Sequence, residues 1–271
     1  MLITRVITAL LLLPLMLGAV FYLSTPLWAA FAWLVVGLAL WEYSRMAALR
    51  GMVQWLYLAG SSLLALAIYQ LPSAIQSAVS HGLLLLSLPV WLLLTPLWLA
   101  RRWSLPKGGV AMLLGWLLML PAWLGFLAWR PDADAANATQ LLAVMGLVWV
   151  ADIAAYFAGK AFGKRKLAPA ISPGKSWEGV IGAVFGVAGY VWLVTQLGWL
   201  QFDLPLLLLL PLALGLTAVS VIGDLLESWF KRSAGIKDSS KLLPGHGGVY
   251  DRIDSLIAVL SVSAALRLLL A

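Results

Sequence analysis

Between Gly223 and Asp254 the sequence sets five carboxylates, Asp224, Glu227, Asp238, Asp251 and Asp254, among five cations, Lys231, Arg232, Lys237, Lys241 and Arg252. Asp224, Glu227, Ser228 and Lys231 stand at i, i+3, i+4 and i+7, so they share one helix face. Asp251, Asp254 and Ser255 repeat the first steps of that spacing further on. Carboxylates arriving on different helices beside several cations suit a magnesium–phosphate site. Mg²⁺ takes a few carboxylate oxygens and completes its shell with water and substrate phosphate, while Lys and Arg neutralise the remaining charge. Asp251 or Asp254 could equally be a plain helix N-cap. Between the two runs lies Pro244-Gly245-His246-Gly247-Gly248, whose glycines would let backbone approach a ligand. His246 reads as a solvated loop residue, a base or a phosphate donor, and spacing alone does not choose.

Two further segments carry polar groups with a pattern. Asp152, Tyr156 and Lys160 follow at i, i+4 and i+8 on one face of an apolar run, where an ionisable residue is costly enough to suggest function. The competing reading is a structural Asp152–Lys160 or Asp152–Arg pair inside the bundle. After it comes Ser172-Pro173-Gly174-Lys175-Ser176-Trp177-Glu178-Gly179. Pro and Gly shape a turn there, and the helix that follows offers unpaired N–H groups, so the segment suits a phosphate next to Lys175. It is not a Walker A loop, which needs its own glycine spacing after a strand.

The elements that must hold these residues are membrane helices. The chain is 63% hydrophobic and 11% charged, far from the balance of a water-soluble domain. It has no Cys, which excludes disulfides and Cys-ligated zinc or iron–sulfur sites. The +7 charge would suggest nucleic acid in a soluble protein, but the positive-inside bias accounts for it here, and no nucleic-acid partner is expected. Apolar windows fall at 6–23, 26–41, 54–71, 83–99, 108–128, 139–158, 180–199, 204–226 and 255–270. The second and ninth are short for a bilayer. The first has the pattern of a signal peptide but no convincing cleavage site, and reads as the first span. With nine spans, all eighteen Lys and Arg except Arg130 and Arg267 fall on one side, whereas the loops opposite carry Asp132, Asp134 and Asp203. The expected architecture is therefore an all-α, polytopic bundle of about nine spans, N-terminus cytoplasmic and C-terminus outside. It forms a single integral membrane domain, with apolar helices over 1–138 and the chemistry over 139–271. Glu42, the one carboxylate of the first five spans, reads as an interfacial residue beside Arg45. The many Trp near window ends fit interfacial belts, although any one of them could pack inside.

Ser228 to Asp254, SWFKRSAGIKDSSKLLPGHGGVYDRID, meets every fixed position of the signature S-x-x-K-R-x₄-K-D-x₅-[PG]-x-H-G-G-x-x-D-R-x-D. On that run the chain resembles the phosphatidate cytidylyltransferases, and Asp152 to Lys160 and Ser172 to Gly179 also look like family segments. The resemblance covers residues 150–255 with specificity; before that it is hydropathy only. It implies transfer of a cytidylyl group from CTP to phosphatidate, at the cytoplasmic side of the bacterial inner membrane. It also implies Mg²⁺ on Asp224 and Asp251, a second cation for which K⁺ is a candidate, and a homodimer. Lys231, Arg232, Lys237 and Arg252 would join Lys175 as phosphate ligands. Asp254, Ser228, Asp238, Gly247, Gly248, Ser172, Ser176, Glu178, Asp152 and Lys160 would complete the site. The alternatives are a transporter of an anionic lipid or nucleotide, and a CTP-dependent polyprenol kinase.

Overall fold

The computed structural model describes residues 2–200 and 205–270, with side chains from residue 6 onward. The Arg5 side chain and Asp203, both part of the charge count above, lie outside the described residues. Every apolar window falls on a helix. These are α1 (Leu2–Tyr22), α2 (Thr25–Met46), α3 (Gly51–Gln70), α4 (Ser73–Arg101), α5 (Gly108–Trp129), α6 (Ala135–Phe162), α7 (Trp177–Gln196), α8 (Leu206–Ser233) and α9 (Tyr250–Leu270). Among the described residues, α2 to α9 are long and apolar enough to cross a membrane, eight helices in all. The apolar stretch of α1, Val6–Tyr22, is shorter. The two windows that looked short resolve into helices of 22 and 21 residues, because α2 and α9 each run on through polar residues at the end that carries chemistry. Likewise α6 and α8 reach 28 residues, which carries Lys160 and Lys231 past the apolar cores of their helices.

Local chemistry sets the boundaries. Pro26 sits in the first turn of α2, where its missing N–H costs nothing. Ser176 caps α7, its Oγ accepting the Gly179 N–H at 3.2 Å. α4 passes through one π-turn at Val90–Leu94, bracketed by Pro89 and Pro96, where the Thr95 hydroxyl donates to the Val90 carbonyl at 2.9 Å. One element departs from the all-helical expectation. β1 (Lys166–Ala168) and β2 (Ser172–Ser176) form an antiparallel hairpin between α6 and α7, with Lys166 opposite Ser176. Pro169 and Pro173 keep this segment from continuing either helix.

α9 is the central helix. It packs against α8, α5, α4 and α2, and both it and α5 are 67% buried over their apolar windows, so the remaining helices carry most of the lipid-facing surface. Gly125 lets α5 touch the α9 backbone at Leu260, where a Cβ would come within 2.6 Å of the carbonyl oxygen. α6 and α7 close on each other through small residues, Gly182 and Gly186 against Ala154 and Ala158. Trp28, Trp91 and Trp129 are buried inside the bundle, while Trp55, Trp177 and Trp192 stay exposed.

The two arginines that break the charge rule have structural employment. Arg130 is buried and donates to the Val20 carbonyl at 2.6 Å and to the Leu23 carbonyl, with its guanidinium over the Trp28 ring. Arg267 donates to the Ala128 carbonyl at 3.1 Å and lies over Trp129. Each cation thus satisfies carbonyls at the C-terminal end of a helix, α1 and α5 respectively, where the helix dipole favours it.

Candidate active site

α6, the hairpin, α7 and α8 enclose a cleft of about 470 Å³, within the range of small-molecule sites. Asp152 and Lys160 enter it from α6, Ser172, Lys175 and Ser176 from β2, and Ser220 and Asp224 from α8. Lys175 Nζ lies 2.6 Å from Asp224 Oδ2, while the Ser228 hydroxyl donates to Asp224 Oδ1 at 3.2 Å. The Ser172–Gly179 segment and the Asp224 face, separated by some fifty residues of chain, are thereby one site. Asp152 and Lys160 form no ion pair among the described residues. Instead Lys160 Nζ stands 5.8 Å above the Tyr156 ring, which leaves both charges facing the cleft. Asp152, Asp224 and Asp254 interact electrostatically with one another, with Lys175 and Arg252 the cations in range. Three carboxylates, Asp152, Asp224 and Asp254, thus gather beside three cations, Lys160, Lys175 and Arg252.

A second cluster, closed and drier, lies further along α8. Lys231 Nζ sits 2.5 Å from Asp251 Oδ1 and 2.6 Å from Glu227 Oε2, and Glu227 is fully buried. Asp251 Oδ2 accepts the Ser239 N–H at 2.9 Å, the Ser239 hydroxyl at 2.8 Å and the Gly248 N–H at 2.8 Å. Lys231 is seven residues past Asp224, roughly 10 Å along the helix axis. Asp251 therefore stands opposite Lys231, whereas the Asp254 backbone lies against Gly223, beside Asp224. Among the described residues no group of three His, Cys, Asp or Glu side chains converges as a ready metal cage.

Other expected site residues fall elsewhere. Glu178 does not line the cleft; its carboxylate accepts the N–H groups of Lys164 at 3.1 Å and Arg165 at 3.2 Å and ties the hairpin's entry to α7. Arg232 Nε faces the Ile171 carbonyl at 3.4 Å, fastening the end of α8 to the hairpin. Lys237 and Asp238 are exposed on the loop. Arg252 donates from Nε to the His246 carbonyl at 3.0 Å, and His246 Nδ1 is buried with no hydrogen-bond partner among the described residues. Gly247 and Gly248 of the PGHGG run approach protein carboxylates. A Cβ on Gly247, at φ +84°, would meet Asp251 Oδ2 at 2.7 Å, and one on Gly248 would collide with Ser239 Oγ and Glu42 Oε1.

That collision exposes the residue that the sequence reading misplaced. Glu42 is not a solvent-facing partner of Arg45; it is fully buried against the 239–250 segment, while Arg45 lies over the Trp41 ring. Its carboxylate accepts the Ser240 hydroxyl at 2.6 Å and the N–H groups of Val249 at 3.0 Å and Tyr250 at 2.6 Å, and the Ser239 hydroxyl, shared with Asp251, lies 2.9 Å away. The only available signal was its isolation as a carboxylate among five apolar helices. Ser239 and Ser240, which the sequence reading passed over, join it here.

Comparison with known proteins gives a consistent result. The model of the cytidylyltransferase family matches residues 3–270. The chain is 47% identical over 268 residues to a phosphatidate cytidylyltransferase of Pseudomonas aeruginosa, covering 97% of this chain and 95% of that protein. It is 38% identical to the Haemophilus influenzae protein of the same name, over 94% of each. A Brucella suis relative is 52% identical over 126 residues, 44% of this chain and 43% of that one.

Proposed function

The chain belongs to the cytidylyltransferase family, and from that premise we propose how it transfers the cytidylyl group of CTP to phosphatidate, giving CDP-diacylglycerol and pyrophosphate. A phosphate oxygen of phosphatidate forms a bond to the α-phosphorus of CTP. The bond from that phosphorus to the α–β bridging oxygen breaks, and its electron pair leaves with pyrophosphate. No protein nucleophile is needed, so the work of the chain is to hold two anions in line and screen their repulsion.

The observation that carries this reading is the cleft where Lys175 of the hairpin meets Asp224 of α8. Lys160, Lys175, Ser172 and Ser176 offer donors for phosphate oxygens there. Arg232, Lys237 and Arg252 are exposed cations for the rest of the triphosphate or the lipid phosphate. Asp224 and Asp251 would hold the divalent cation that this chemistry implies only if Lys231 gives up Asp251 Oδ1 and the two carboxylates converge, because in this structure they stand in separate clusters. Asp224 is partly open in the cleft, Asp251 Oδ1 has a single partner in Lys231, and Mg²⁺ needs few protein ligands when phosphate and water complete its shell. When bound, the cation would neutralise charge on the reacting phosphates.

Nine spans with the N-terminus inside and the C-terminus outside belong to the same reading. The Lys and Arg distribution supports them, as does the internal use of Arg130 and Arg267. On this reading the cleft opens to the cytoplasm, which holds CTP, at the inner leaflet of the bacterial inner membrane. Transport and polyprenol phosphorylation give way to family membership. Purified protein supplied with phosphatidate, magnesium and CTP labelled in turn at the α- and γ-phosphates tests the chemistry. The α-label should appear in a lipid with the mass of CDP-diacylglycerol and the γ-label in pyrophosphate; γ-label in the lipid would overturn cytidylyl transfer.

A further inference from the structure

Glu42 stands on α2, in a part of the chain whose sequence carries none of the motif residues. Among the described residues it forms no ion pair. A buried carboxylate without a counter-ion is costly unless hydrogen bonds replace the water it has lost. Here three donors do so, the Ser240 hydroxyl and the Val249 and Tyr250 N–H groups, with the Ser239 hydroxyl as a fourth shared with Asp251, and all belong to residues 239–250. Two are backbone N–H groups at the start of α9, where the positive end of the helix dipole also favours a negative charge.

We propose that Glu42 is a positioning residue for cytidylyl transfer, fixing the 239–250 segment and, through Ser239, the orientation of Asp251. The inference rests on the reading of Asp251 as a residue of the reaction. The Ser239 hydroxyl lies 2.9 Å from Glu42 Oε2 and 2.8 Å from Asp251 Oδ2 and shares its one proton between them, so one side chain bridges the two carboxylates. Every other donor to Asp251 Oδ2, the N–H groups of Ser239 and Gly248, also comes from the segment that Glu42 holds. With Oδ2 fixed in this way, Oδ1 is directed at Lys231. The arrangement calls for a carboxylate specifically. A Gln at this position would turn its NH₂ toward either the Val249 or the Tyr250 N–H, and a backbone donor, unlike a hydroxyl, cannot rotate away. Tyr250 adjoins Asp251 in the chain, so the disturbance would arise one residue from the reacting site.

The test compares Glu42→Gln, Ser239→Ala, the double variant and Asp251→Asn in the full chain. It measures kcat and KM for CTP per folded protein, together with hydrogen exchange of peptides covering 239–250. Glu42→Gln should lower kcat by about tenfold or more with KM changed by less than about threefold. Ser239→Ala should lower kcat in the same direction, and the double variant should resemble Glu42→Gln alone rather than multiply the two losses. Exchange in 239–250 should quicken in each variant that lacks a Glu42 partner. Wild-type kcat per folded molecule in Glu42→Gln, or losses that multiply, would overturn the proposal. If Glu42→Gln does not fold, Ser239→Ala decides, and wild-type kcat there overturns it. Wild-type turnover in Asp251→Asn would instead remove the reading of Asp251 on which the proposal stands.

Discussion

Asp224→Asn and Asp251→Asn should both abolish CDP-diacylglycerol formation, but at different cost to the fold. Asp224 and its partner Lys175 keep side-chain exposures of 28% and 24%, and Asp224 has one further partner, the Ser228 hydroxyl. An Asn there retains one oxygen, water can reach the other group, and the loss of stability should be about 1 kcal/mol or less, the scale of a partly exposed pair. Asp251 is 6% exposed and its Lys231 partner 12%. Lys231 approaches one oxygen, while two N–H groups and a hydroxyl approach the other. The single NH₂ of an Asn must therefore face a donor in either orientation. Losing a charge-assisted bond and leaving a buried donor unmet should cost about 3 kcal/mol.

Both variants should lose turnover by about 100-fold or more, roughly 2.7 kcal/mol of transition-state stabilisation. Any residual activity should need more magnesium to reach its maximum. The assays are turnover with α-labelled CTP across a magnesium titration, and unfolding midpoints of the purified variants in one detergent. Wild-type turnover with an unchanged magnesium midpoint would remove that residue from the reaction. A larger loss of stability in Asp224→Asn than in Asp251→Asn would refute the packing argument itself.

Lys175→Ala should cut kcat/KM for CTP by at least about tenfold, since it removes the cation that the hairpin brings to Asp224; unchanged kinetics would return the hairpin to a structural role. Gly248→Ala should yield little active protein, because its Cβ would collide with both Ser239 Oγ and Glu42, an overpacking cost of about 1–3 kcal/mol; a well-folded variant with full activity would contradict the described contact. Accessible reporters after residue 170 or 240 should label from the cytoplasm, and those after 134 or at the C-terminus from the other side. Residues 134 and 170 reporting one side would end the nine-span topology.

Helix positions were legible because bilayer length and apolar content constrain them directly. The ends were less so. α2, α6, α8 and α9 all run beyond their apolar windows, and the added turns are the ones carrying Glu42, Lys160, Lys231 and Asp251. Hydropathy stops where chemistry starts, so it truncates the segments that matter most. The β1–β2 hairpin escaped for a related reason. Its five-residue second strand has no apolar alternation, and the hairpin is tied at its entry by Glu178 and at its turn by Arg232 rather than by a hydrophobic face.

Spacing located the chemistry-bearing residues but not their partners. It grouped Asp224 with Lys231 on one face of α8, correctly, yet the two serve different neighbours, Lys175 in the open cleft and Asp251 in the closed cluster. Helical periodicity says which side chains share a face; which neighbouring chain each one meets depends on the height at which α9 and the hairpin pack, and that is set by contacts distant in sequence. Glu42 is the extreme case, because its partners lie about two hundred residues away and nothing local distinguishes it from an interfacial carboxylate. Its placement bears on how the signature itself should be understood. The fixed glycines and Asp251 form a tight loop only because a carboxylate on α2 receives the N–H groups that this loop exposes. A chain could keep every residue from Ser228 to Asp254 and, without that acceptor, leave the start of α9 with unmet donors in a buried place. The N-terminal helices therefore do more than anchor the motif in the bilayer: one of them completes the geometry that the motif requires.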